Sequence, residues 1–285
     1  MRDAVCAFHT HMLHRHTHGY RLRAQATPPP AHRGYISSNP HNKLTLNLLN
    51  PDTYPEAVCN DGTPGAYWFA PGAAGNTQWL IYLQGGMWCY SEATCGARYQ
   101  AGPFFMSSAG LPEQMNMGGV FSDNPENPWA SANKIYAAYC SSDGWAGDVG
   151  ASAATFGWNF RGQQIIAAIV ADLVARQGLA GGADVLFGGC SAGARGAMVN
   201  LDFIQPMLPA GCTLRGLLDS GLWLDLNPPD TAEDSLQAQT QAIYALVNPA
   251  ARIPAACAAQ YAGQAWKCLY GQVSCACCCC SKRLA

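Results

Sequence analysis

A serine between two glycines is the first place in this sequence where residue types and spacing can do chemistry. Gly189-Cys190-Ser191-Ala192-Gly193 follows the apolar run Asp184-Val185-Leu186-Phe187-Gly188 and precedes an Ala-rich stretch from Ala194 to about Leu208. Strand, cramped turn and helix in that order would hold the Ser191 hydroxyl clear of its backbone, with Gly189 and Gly193 letting the two elements close on each other. Such a serine is built to attack an acyl carbonyl. The attack places negative charge on the carbonyl oxygen, and a second segment can hold that charge. Leu83-Gln84-Gly85-Gly86-Met87-Trp88-Cys89 puts a glycine pair directly after another apolar run, so the N–H of Gly86 or Met87 can converge with that of Ala192 as an oxyanion hole. Cys190 reads as a small buried residue, having no basic partner to make it a nucleophile. The chemistry is acyl transfer through a covalent acyl-serine, and it calls for no metal and no organic cofactor.

Positioning these groups requires an α/β fold. Trp79-Leu80-Ile81-Tyr82-Leu83 and Lys134-Ile135-Tyr136-Ala137-Ala138-Tyr139 are runs of the kind expected for strands buried on both faces, and Asp184–Gly188 and Leu214–Asp219 add two more. Thr45–Leu49 and Ala66–Ala70 open the domain as a hairpin-like pair. Ile165, Ile166, Ile169, Val170 and Leu173 recur at helical spacing, which predicts a helix over about residues 160–176 with Gly178 as its terminator. Strands alternating with helices predict a mostly parallel sheet with helices on both faces.

With 285 residues, 49% hydrophobic and 12% charged, the chain can bury a large core, which excludes disorder throughout. A formal net charge of −2 argues against nucleic acid as a partner. No run approaches the roughly 18 apolar residues of a membrane span, the longest, Ile165–Val174, being broken by Asp172. Residues 1–40 read as a disordered His- and Pro-rich leader, residues 41–273 as the folded domain and residues 274–285 as a low-complexity tail that holds five of the fourteen cysteines. The remaining nine cysteines favour an oxidising compartment, although no apolar signal segment is visible in the leader. His9, His11, His14, His16 and His18 are spaced to approach a metal, but they lack a closed ligand set, and a solvated tail is the simpler reading.

Taken together the motifs resemble the pectin acetylesterase/Notum family of serine carboxylesterases. The matching stretches are Val58-Cys59-Asn60-Asp61-Gly62-Thr63-Pro64, Gly85-Gly86-Met87-Trp88-Cys89 with Cys95 and Arg98, Tyr139-Cys140-Ser141-Ser142-Asp143, Gly189–Gly193, Asp219-Ser220-Gly221-Leu222-Trp223 and Trp266-Lys267-Cys268. The resemblance implies an α/β-hydrolase-like fold, removal of acetyl or other acyl groups from a polysaccharide or a protein, and a monomer that is secreted or in the cell wall. It also implies disulfides Cys59–Cys140, Cys89–Cys95 and Cys257–Cys268. Asp143, Trp145 and Asp219 would shape or brace the site, with Asp143 read first as a turn residue and Asp219 as a strand-end carboxylate satisfied by backbone N–H groups.

One departure bears on mechanism. A triad of this fold runs Ser, then Asp or Glu, then His, yet all seven histidines, the last two being His32 and His41, precede residue 42. In the family the acid and base lie beyond the position of about Val273, where this sequence turns to Ser274-Cys275-Ala276-Cys277. The expectation is a domain incomplete at its C-terminus and impaired in turnover. The alternative is a non-catalytic protein that binds acylated glycans or lipids on the same fold, with Trp68, Trp88, Trp145, Trp158 and Trp223 as possible pocket aromatics.

Overall fold

Seven strands form one mixed sheet in the computed structural model, which describes residues 43–221, 223–224, 234–247, 253–271 and 273. The proposed leader and tail, with every histidine, lie outside the described residues. In chain order the elements are β1 (Lys43–Leu48), β2 (Ala66–Ala70), β3 (Gln78–Leu83), α1 (Glu92–Ala101), β4 (Gln114–Asn116), β5 (Asn133–Ala137), α2 (Gly162–Asp172), β6 (Asp184–Cys190), α3 (Ala192–Ile204), β7 (Thr213–Asp219), α4 (Leu236–Val247) and α5 (Ala255–Gln260). The strand order is β4-β1-β2-β5-β3-β6-β7. β5, β3, β6 and β7 run parallel, while β4, β1, β2 and β5 pair antiparallel. The parallel half carries the site, and the antiparallel half widens the sheet behind it.

Alternation along β3 divides the core. Trp79, Ile81 and Leu83 face one side, where Ile165, Ile166 and Ile169 of α2 and Ala197 and Ile204 of α3 pack on them. Leu80 and Tyr82 face the other side with Trp68 and Tyr136. Among the described residues that second face is covered by the segment between β4 and β5 rather than by an α-helix, with Phe121 buried at its centre. The buried Lys134 ties this cover down, its Nζ donating to the Phe121 carbonyl at 2.9 Å. Because both faces of β3 are dry, its sequence is a continuous apolar run.

The predicted helix over residues 160–176 is α2 followed by a wider turn at Leu173–Gln177, and Gly178 ends it in the left-handed region at φ 86°. α1 is largely polar and carries no apolar stripe that would mark it in the sequence. Local capping holds it instead: the Ser91 hydroxyl accepts from the Thr94 N–H, and the Thr94 hydroxyl accepts from the Ser91 N–H.

Candidate active site

β6 runs into α3 through Ser191, whose backbone sits at φ 56° and ψ −119°. A non-glycine residue with this φ is uncommon and costs of the order of 1–3 kcal/mol, so the packing around it must over-determine it. The neighbouring glycines supply that packing. A Cβ on Gly189 would lie 2.5 Å from the Gly193 carbonyl carbon, and a Cβ on Gly193 would overlap the Leu83 carbonyl oxygen. On the β3 side, a Cβ on Gly85 would lie 2.5 Å from the Cys190 oxygen. Three backbones therefore meet where only hydrogens fit, with Gly85 joining the close approach expected of Gly189 and Gly193. The turn is also pinned from β7, the Ser191 N–H donating to the Asp219 carbonyl at 3.0 Å.

Backbone strain gathers at one edge of the sheet. Six non-glycine described residues have positive φ, and five of them lie beyond the C-terminal ends of the parallel strands: Met87 after β3, Ser142 and Trp145 after β5, Ser191 after β6 and Ser220 after β7. That edge is where open parallel sheets bind their ligands. Gly86, at φ 147°, and Met87, at φ 58°, bend the loop after β3. Among the described residues no protein acceptor takes the N–H of Gly86, Met87 or Ala192. Ala192 stands in the first turn of α3, where an N–H has no intrahelical acceptor.

Asp143 organises the loop after β5. Its Oδ1 accepts from the Ser141 hydroxyl at 2.7 Å and the Trp145 N–H at 2.9 Å, and its Oδ2 from the N–H groups of Gly147 at 3.2 Å and Gly162 at 2.8 Å. Burial pushes its carboxyl up to about 6, against these four donors, which favour the charged form. The turn reading of Asp143 thus holds in an extended form, since Gly162 is a remote donor. The loop in turn holds the segment after β3. Trp145 Nε1 donates to the Gln84 carbonyl at 3.0 Å, the Tyr139 hydroxyl donates to the Met87 carbonyl at 2.7 Å, and the Tyr139 N–H donates to Gln84 Oε1 at 3.0 Å. Trp145 also packs against α3, where a Cβ on Gly196 would lie 2.5 Å from its Cβ. Asp219 differs from its expected bonding: its carboxylate accepts from the hydroxyls of Tyr82 at 2.8 Å and Ser220 at 3.2 Å, because β7 brings it alongside the end of β3 through β6.

Disulfides fasten these loops. Cys59 is joined to Cys140, linking the loop after β1 to the end of β5; Cys89 is joined to Cys95, linking the loop after β3 to α1; and Cys257 is joined to Cys268. Cys190, buried as its reading requires, is also in a disulfide, and Cys212 is the free cysteine among the described residues.

At the start of α3, next in sequence to Ser191, lies a small, shallow depression open to solvent, lined by Met87, Trp88, Ala192, Arg195, Trp223 and Leu236. Of the candidate aromatics, Trp88 and Trp223 line it, Trp68 and Trp145 are in the core, and Trp158 packs against Tyr99. Arg195 is the residue that sequence reasoning missed. Its guanidinium, 2% exposed, lies between the Trp88 ring, 3.8 Å from its centroid, and the Trp223 ring, 4.4 Å from its centroid. The available signal was a single charge in the small, apolar run Ala192–Val199. No group of three or more His, Cys, Asp or Glu among the described residues could hold a metal ion, and no helix among them is long and apolar enough to cross a membrane.

Known proteins place this arrangement. The sequence model of the pectinacetylesterase family matches residues 37–278. Palmitoleoyl-protein carboxylesterase notum2 of Xenopus laevis is 36% identical over 227 residues, which are 75% of this chain and 46% of that protein. Human palmitoleoyl-protein carboxylesterase NOTUM is 34% identical over 241 residues, 80% of this chain and 47% of that protein. The chain thus spans about half the length of these relatives. The crystal structure of the Wnt deacylase Notum from Drosophila superposes with a TM-score of 0.72 at 29% identity, covering 81% of this chain and 67% of that one.

Proposed function

The chain belongs to the pectinacetylesterase family, and we propose that it is a carboxylic ester hydrolase with Ser191 as nucleophile and the N–H groups of Gly86, Met87 and Ala192 as the oxyanion hole. The observation that supports this reading is the strained backbone at Ser191 together with the N–H groups of Gly86, Met87 and Ala192, which have no protein acceptor among the described residues. In the acylation step a bond forms from Ser191 Oγ to the ester carbonyl carbon, the bond to the leaving alcohol breaks, and the serine proton passes to that alcohol. Water then adds to the acyl-serine, releasing the acid and restoring the hydroxyl. Donors already in place where the oxyanion forms need no reorganisation during attack, and each such donor typically contributes about 100- to 1,000-fold.

An oxyanion hole and binding by themselves supply about 1,000-fold over water. The depression at the start of α3 is small and has a guanidinium in its wall, which suits a short acyl group such as acetyl better than a long apolar chain. The carrier is proposed to be an acylated polysaccharide or protein, the enzyme a monomer, and its compartment secretory or cell-wall, an assignment supported by the disulfides.

Hydrolysis of p-nitrophenyl acetate tests the proposal. A rate above buffer that Ser191→Ala abolishes is expected. A rate unchanged by that substitution would refute it, and unaltered binding of an acetylated sugar with no acyl transfer at all would favour the non-catalytic binding reading.

A further inference from the structure

The wall of the depression is unbalanced in its hydrogen-bonding groups. Arg195 Nε and Nη2 and Trp223 Nε1 are buried and have no hydrogen-bond partner among the described residues. No carboxylate is within ion-pair reach of Arg195 among them either, the four salt bridges there involving Arg161, Arg176 and Arg215. The remaining indole nitrogen of the wall, Trp88 Nε1, is satisfied, donating to Gln239 Oε1 at 3.2 Å. Unmet demand in this wall is therefore entirely for acceptors. A buried guanidinium without an anion is among the more expensive arrangements a protein can hold, and the two stacked indoles offset only part of that cost.

The geometry also limits what can satisfy it. The guanidinium carbon lies over both the Trp88 and the Trp223 ring, and contacts of this kind leave the in-plane edge of the group for a partner. A planar carboxylate, with two oxygens in one plane, fits this approach as a forked pair. Entry is through Met87, half exposed and unbranched, which can swing aside without disturbing the glycine-packed backbone behind it. Arg195 lies one helical turn beyond Ser191, its N–H donating to the Ser191 carbonyl at 3.1 Å, so a group held there sits next to the reacting carbonyl.

We propose that Arg195, assisted by Trp223 Nε1, is the carboxylate-binding residue of this site, and that the ester turned over at Ser191 carries a carboxylate close to the scissile bond. The substrate assignment rests on the esterase reading; the binding of the anion does not. Burial pushes the pKa of Arg195 down to about 9, which leaves it charged at neutral pH. The carboxylate can belong to the acyl group, as in a half-ester of a short dicarboxylic acid, or to the alcohol, as in an acylated hydroxy acid.

Calorimetric titration of the Ser191→Ala protein separates these cases without hydrolysis. The probes are monomethyl succinate for the acyl side and O-acetyl-lactate for the alcohol side, each against its uncharged methyl ester. Saturable binding of either anion, about 10- to 100-fold tighter than its neutral ester, is expected, and the tighter anion identifies the source. Arg195→Met should remove the preference, and Arg195→Lys, which keeps the charge without the fork, should restore only part of it. Equal binding of acids and neutral esters, or no binding of either anion, would overturn the proposal, and the comparison of probes stands without the Arg195 variants should they fail to fold. No anion preference in Ser191→Ala while the wild-type protein is acylated at Ser191 by p-nitrophenyl acetate refutes the subsite alone, whereas anion preference in Ser191→Ala with no acylation of the wild-type protein refutes the esterase reading alone.

Discussion

Replacing Asp143 by asparagine changes one atom and tests how the site is held. Each carboxylate oxygen of Asp143 accepts two hydrogen bonds, and three of the four donors are backbone N–H groups, of Trp145, Gly147 and Gly162. An amide offers one oxygen and turns an NH₂ toward the remaining pair of donors. If the NH₂ faces Ser141 and Trp145, the Ser141 hydroxyl can rotate to accept from it and one buried backbone N–H is orphaned. If it faces Gly147 and Gly162, two are orphaned. The amide takes the orientation that orphans one donor, and at about 1–3 kcal/mol for an orphaned buried donor the substitution should destabilise the fold by about 1–3 kcal/mol. Relief by movement is restricted, because a Cβ on Gly162 would already lie 2.5 Å from Asp143 Oδ1. Urea unfolding followed by far-ultraviolet circular dichroism measures the change, with an unaltered slope indicating that the same surface unfolds. The variant should also lose Ser191 acylation, because Trp145 and Tyr139 carry the loop's position to Gln84 and Met87. A loss of stability below about 0.5 kcal/mol would refute the reasoning, since it would mean that the four donors find other acceptors.

Asp143 also predicts a pH dependence: its folded value of about 6 lies above the unfolded value of about 3.9, so its contribution is full below about 3.9 and lost as pH rises through about 6. That loss is of the order of 3 kcal/mol, and the difference between wild type and Asp143→Asn in urea midpoints measured from pH 4 to 7 should show it. Imidazole added to the wild-type protein should accelerate acylation of Ser191 by p-nitrophenyl acetate by supplying an external base, and should have no effect on Ser191→Ala beyond its effect on buffer. Gly193→Ala, whose Cβ would overlap the Leu83 carbonyl oxygen, should destabilise by at least the roughly 1–3 kcal/mol of core overpacking and abolish acylation, as unfolding midpoints and acylation rates would show. Removing the Cys59–Cys140 bridge, of sequence separation 81, should lower the urea midpoint more than removing Cys89–Cys95, of separation 6, by about 2 kcal/mol on a chain-entropy basis.

The parts of the site that are legible in the sequence are those fixed by sterics over a few residues. Gly189, Gly193 and the Gly85-Gly86 pair can be read because only hydrogens fit where β3, β6 and α3 meet, and Ser191 follows from them. Strands buried on both faces announce themselves as apolar runs, so β3, β5, β6 and β7 lie close to where the runs fall. Long-range bonding leaves no such trace. Asp143 draws a donor from Gly162, and Asp219 draws one from Tyr82, a residue 137 positions away, so neither network has a local pattern. Arg195 lies in a helix whose small residues point to close packing. That its charge turns inward between two tryptophans depends on Trp88 and Trp223, which come from loops after different strands. The polar α1 is held by its Ser91 cap and by the Cys89–Cys95 bridge rather than by an apolar stripe, which is why hydrophobic periodicity passes over it.

Peptide mapping of the intact chain after exposure to a fluorophosphonate reports directly on whether Ser191 is the reactive nucleophile. A single phosphonyl adduct on the peptide containing Gly189–Gly193, absent in Ser191→Ala, is the predicted result. An adduct on any other residue, or none under conditions in which imidazole is present as an external base, would contradict it.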